Sequence, residues 1–149
     1  MVTSLKGLFY SFVDRKAANP RYYNKYVRIS SSLDNKKMSK DTYEYLTGLK
    51  STIGNYARHN NLKIVLSPAD VSPKHVKIDM FMRRDKLEEK FFEVMDLPAP
   101  SPVKINKYEH IVWVDPSDKE ELIPPSRKVF QVISDIYKDF NKRFNKNLK

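Results

Sequence analysis

Between Lys74 and Met82 the chain alternates without a break, with Val76, Ile78, Met80 and Met82 on one side of an extended backbone and His75, Lys77, Asp79 and Phe81 on the other. Successive strand residues point to opposite faces of a sheet, so this run predicts a strand with one apolar face that a second layer must cover. Two helical stripes can supply that layer. Thr42, Leu46, Leu49, Ile53 and Tyr56 recur at helical spacing after Ser39, a good N-cap, and predict a helix reaching about His59. Val129, Phe130, Ile133, Ile136, Tyr137, Phe140 and Phe144 mark a long last helix over about 126–147, opened by Pro124-Pro125-Ser126. A one-sided strand beside amphipathic helices gives an α+β class.

The remaining elements are shorter. Leu5, Leu8, Phe9, Phe12 and Val13 predict a helix over about 4–18, stopped by Asn19-Pro20. Tyr22 to Ser30 is rich in aromatic and β-branched residues, with Tyr23, Val27 and Ile29 on one strand face and Tyr22, Tyr26 and Arg28 on the other. Ser31 to Lys37 is expected to be a loop, Leu62 to Leu66 and Tyr108 to Val114 strands, and Asp115 to Asp118 a turn. Gly48 and Gly54 each weaken the helix they sit in by roughly 1 kcal/mol, so packing has to hold it. Asp85 with Glu88 resembles a capping box for a helix whose buried stripe is Leu87, Phe91, Val94 and Met95. That helix ends before Leu97 to Pro102, where three prolines favour an extended connector.

The central elements, spanning about 20–115, thus run β-α-β-β-α-β, an order that resembles ferredoxin-like domains, with one helix flanking on each side. The whole chain, 1–149, reads as a single domain. The resemblance implies helices on one sheet face. The other face could then be a platform of the RNA-recognition kind, where Tyr22, Tyr26, Phe81 and Trp113 would stack on bases. The alternative is that the first or last helix covers this second face and turns those aromatics into core.

Charge narrows the class of partner. The chain carries 28 Lys+Arg against 18 Asp+Glu, a formal +10, and fields of that size attract polyanions. With 40% hydrophobic residues and 12% aromatics, this is a folded protein and no basic tail. Lys outnumbers Arg more than twofold and Asn is frequent, a bias that AT-rich codons also produce. Three clusters could meet phosphate: Lys36, Lys37 and Lys40 before the first long helix; Arg83, Arg84 and Lys86 at a strand end; and Lys138, Lys142, Arg143, Lys146 and Lys149 on the last helix. Arginine forks match phosphate geometry best, so Arg83 and Arg84 lead. Tyr22, Tyr26, Arg28 and Phe81 complete the expected nucleic-acid-binding set.

Catalytic patterns are not found. With no cysteine there are no disulfides, thiolate metal sites or Cys nucleophiles. His59, His75 and His110 are scattered and form no metal-ligand pair. Asp79, Asp85, Asp96, Asp115 and Asp118 match no metal-dependent nuclease spacing, and three glycines build no phosphate loop, nucleophile elbow or dinucleotide fingerprint. The expectation is a non-enzymatic protein without metal or cofactor that binds DNA or RNA mainly through phosphates. Its alternatives are a structural component of a nucleoprotein particle, such as a phage head-lining or ribosome-associated protein, and a phage-type inhibitor of a host protein. The N-terminus has no basic leader and no long apolar run, so a cytoplasmic protein, or one inside a particle assembled there, is expected to have no membrane partner.

Overall fold

A computed structural model describes residues 23–83, 86–98 and 103–148, the side chains at 86, 89 and 145–148 excepted. The helix expected over 4–18, along with Tyr22, Arg84, the cap residue Asp85 and Lys149, lies outside the described residues. The elements in chain order begin with β1 (Val27–Ile29), β2 (Ser32–Leu33), β3 (Lys36–Lys37), α1 (Lys40–Gly48) and α2 (Lys50–His59). They continue with β4 (Leu62–Pro68), β5 (His75–Met82), α3 (Lys86–Val94), β6 (His110–Trp113) and α4 (Pro125–Leu148).

The α+β class is borne out, as a single unit with one core. The main sheet has the order β1-β4-β5-β6, with β1 parallel to β4 and the other two pairings antiparallel. The ferredoxin-like resemblance therefore holds only loosely. A split β-α-β unit places another strand between the two that its helix connects, whereas here β1 and β4 are direct neighbours.

The register fixes which side chains share a face. Val27, Ile64 and Met80 lie in one cross-strand row and Val76 and Val112 in another, and all five are buried. Leu46 of α1, Ile53 and Ala57 of α2, and Val129, Ile133 and Ile136 of α4 close over them in the same cluster. All three helices therefore cover one face of the sheet, and the last helix takes the same side as the first long one. Two polar contacts pin α4 and its neighbouring strand to α1. The Ser126 amide donates to the Tyr45 hydroxyl (2.9 Å), and the buried Thr42 hydroxyl donates to the Val114 carbonyl (2.7 Å).

Four local expectations change. The helix foreseen from Ser39 to His59 breaks at Leu49 into α1 and α2, although Ser39 caps it as expected, its hydroxyl accepting from the Thr42 amide. A helix-weakening glycine stands on each side of the break, but the two differ in role. Space around Gly48 is open, whereas a Cβ at Gly54 would sit 2.1 Å from Cδ1 of Tyr23. The expected loop at 31–37 is a two-strand hairpin, closed by Asp34 and Asn35 at φ 51° and 68°, the left-handed pair that tight hairpins require. The first strand is shorter than Tyr22–Ser30, because residues 23–26 turn before β1 begins. Finally, the stripe of α3 is not buried: Leu87 is 77% exposed, Val94 73%, Met95 55% and Phe91 53%.

Candidate nucleic-acid interface

With α1, α2 and α4 on one side, the opposite parity of the strands forms the second face of the sheet. Its rows follow from the same register: Arg28, Val65 and Asp79; Lys63 and Phe81; Lys77 and Ile111; His75 and Trp113. Arg28 and Ile111 are exposed, while Val65, Phe81, His75 and Trp113 are half-buried. α4 packs into the same core cluster as α1 and α2, which answers the alternative in which the last helix covers this second face.

Phe81 sits at the centre of the most basic part. Lys63 lies opposite it on β4, and Lys104 opposite it on the other side through an isolated antiparallel bridge. Residues 103–105 run beside the end of β5 because the Met82 amide donates to Val103 and the Ile105 amide to Met80. Two residues beyond Phe81, the Arg83 guanidinium lies 4.6 Å above the Tyr26 ring centre, a cation–π contact that holds both groups at the sheet edge. The Arg83 backbone is fixed by Asn61, whose side-chain amide donates to the Arg83 carbonyl while the Arg83 amide donates to the Asn61 carbonyl. Asn61 itself takes φ 54°, the stop that Asn60-Asn61 implies for the preceding helix.

Acidic groups moderate this surface. Asp79, mostly buried, lies 3.0 Å from the Lys104 ammonium, and Glu109 lies 3.8 Å from Lys77. The exposed Lys77–Glu109 pair is worth little, about 0–1 kcal/mol, so a phosphate could displace it at small cost, whereas Lys104 is held by a mostly buried carboxylate. At the far end of the face, His75 and Trp113 meet edge to face at 5.0 Å, with Nδ1 of His75 hydrogen-bonded to Ser72 (2.6 Å). The three histidines stand on separate elements. Among the described residues no group of three His, Cys, Asp or Glu is placed to hold a metal ion.

The structure separates the basic residues chosen from sequence into two surfaces. Arg28 and Phe81 lie on the second sheet face, and Arg83, two residues beyond Phe81, covers the ring of Tyr26, which itself packs against the core; Lys86 opens α3. Lys138 and Lys142 are exposed on α4, and helical geometry turns them away from Val129, Ile133 and Ile136, hence away from the sheet altogether. Lys146 follows on the same helix. Arg143 is engaged within the molecule, donating from Nε to Asp139 and from Nη2 to the Ile105 carbonyl, each at 3.0 Å. It braces the segment that carries Lys104.

Lys63 and Lys104 were missed by sequence reasoning, for different reasons. Lys63 stands out of phase with Leu62, Ile64 and Leu66, and that parity could have placed it beside Phe81. Lys104 follows the proline-rich connector, where no local pattern shows which strand it will bridge. Among the described residues no helix is long and apolar enough to cross a membrane. No family profile, no curated protein and no solved structure matches this chain.

Proposed function

We propose that this chain is a non-enzymatic nucleic-acid-binding protein that takes a strand on the sheet face turned away from its helices. The observation that carries the reading is the row Lys63–Phe81–Lys104, with Arg28 and the Arg83–Tyr26 pair at its edge. An aromatic ring between cations suits single strands: bases stack on the ring at about 1–3 kcal/mol each, while the cations follow the phosphates. Phosphate contacts give affinity with little sequence preference. The overall +10 adds attraction at long range.

The reading is tested by fluorescence anisotropy with a labelled single-stranded DNA, the same sequence as RNA, and its duplex, over a salt series. Affinity for the single strands is expected to fall with a log–log slope of about 0.7 per phosphate contacted. Phe81→Ala should cost about 1–3 kcal/mol, and Lys63→Ala should lower the salt slope by about one contact. Lys138→Ala with Lys142→Ala, on the other side of the molecule, should change binding far less. Undetectable binding of all three probes at low salt would end this reading. An equal loss from the α4 pair and from Phe81→Ala would move the site off the sheet.

A further inference from the structure

The second sheet face carries aromatic rings at both ends of β5. Phe81 stands near the C-terminal end, and at the other end His75 lies directly opposite Trp113 of β6. Phe81 and His75 share one strand parity, so both ends open to the same side. Six residue steps separate them, about 20 Å at about 3.4 Å per step. The rings of His75 and Trp113 meet at 5.0 Å and 68°, and each is only half-buried, which leaves part of its surface open.

Hydrogen bonds set this ring pair in place. Ser72 Oγ lies 2.6 Å from Nδ1 of His75 and accepts from the Lys74 amide (3.2 Å), and the Val114 amide donates to the Lys74 carbonyl (2.8 Å). Nε2 of His75 has no partner among the described residues and is left for a ligand. Between the two ends the surface offers cations over apolar ground. Arg28 is exposed, Lys77 stands one row from His75, and Val65 and Ile111 lie beside them. The negative charge there is already engaged: Asp79 by Lys104 at 3.0 Å, and the 60% exposed Glu109 by Lys77 at 3.8 Å.

We infer, on the reading that this face takes a single strand, that His75 and Trp113 form a second base-stacking station and that the strand runs along β5 between it and Phe81. At the duplex rise of about 3.4 Å per nucleotide, about six steps cover the distance, and an extended strand needs fewer. The ligand is thus a single strand of up to about seven nucleotides, at the small end of the roughly 4–16 that OB-fold modules cover. Once one base is stacked, the other station meets its base as an intramolecular partner. Affinity then rises with length until the strand reaches both rings, without either contact becoming stronger.

The chain contains one tryptophan, so its own emission reports the second station. The full chain is titrated at low salt with oligothymidylates of three, five, eight and twelve nucleotides, following Trp113 fluorescence and, with labelled probes, anisotropy. The eight-nucleotide probe should quench Trp113 at saturation, and affinity should climb steeply to about seven nucleotides and slowly beyond. Trp113→Ala should weaken the eight-nucleotide probe by about five- to 150-fold, the worth of one stacked base. It should weaken the three-nucleotide probe by no more than about twofold, because Phe81 still holds a strand too short to reach both rings. Trp113→Phe keeps an aromatic face and should restore most of the loss, with circular dichroism showing that each variant is folded. If Trp113→Ala does not fold, the wild-type emission and Trp113→Phe decide. Unchanged Trp113 emission at saturation overturns the inference, as does a folded Trp113→Ala that binds the eight-nucleotide probe like the wild type, or one that weakens short and long probes equally. In those cases a loss from Phe81→Ala leaves the face with a single station. Undetectable binding of every probe overturns the inference and the single-strand reading together.

Discussion

α3 and α4 carry the same sequence signal with opposite outcomes. Both have apolar residues at helical spacing and both form helices, yet Ile133 is wholly buried and Leu87 is 77% exposed. The periodicity states that one side of a helix is apolar. It does not state what covers that side. α4 follows β6 and lies back over the sheet beside α1 and α2, whereas α3 stands in the connection between the neighbouring antiparallel strands β5 and β6 and stays clear of the core.

This contrast is sharpest in stability. Ile133→Ala should cost about 2–5 kcal/mol, the range for removing a buried branched side chain, while Leu87→Ala should stay within about 0.5 kcal/mol under conditions where the chain is monomeric. Urea unfolding of the two variants measures both, and similar losses would erase the distinction between the helices. A smaller effect separates the two glycines within the packed side. Gly54→Ala must displace the Tyr23 ring, whose hydroxyl donates to Asn55, and should cost about 1–3 kcal/mol. Gly48→Ala meets open space and should gain up to about 1 kcal/mol. If Gly54→Ala were stabilising, the contact between Tyr23 and α2 would be looser than its geometry implies.

The smallest effect is electrostatic. Asp115, 7% exposed at the turn after β6, accepts from the Ser117 hydroxyl (2.7 Å) and from the Lys74 ammonium (2.9 Å), and these hold its carboxyl below the ordinary value. A lowered carboxyl contributes stability that is present above its unfolded value, about 3.9, and is lost as pH falls through the lower folded one. The difference in urea midpoint between wild type and Asp115→Asn should therefore be widest at neutral pH and close in acid. A pH-independent gap for Asp115→Asn would assign its role to shape alone.

How much was legible in the sequence follows the range of the forces involved. The alternation at Val76–Met82 fixed both faces of β5, and with them the position of Phe81, because parity is a local property. Ser39 as a cap, the Asn61 stop and the extent of α4 were local too. The break at Leu49 was not legible, since α1 and α2 share one apolar stripe and only the covered surface decides where it bends. The parallel pairing of β1 with β4, which brings Arg28 to the same face as Lys63 and Phe81, depends on residues more than 30 positions apart. Arg143 looked like a free cation among lysines. Its bond to the Ile105 carbonyl could be seen only once the chain had folded.

The sheet's outermost described strands have one more consequence. β1 has only three residues and exposes an arginine, and β6 has only four and begins with a histidine. Short margins are poor templates for further backbone pairing, which is one way β-proteins avoid fibrillar growth. Molecules of this chain are therefore discouraged from joining strand to strand at these two described margins.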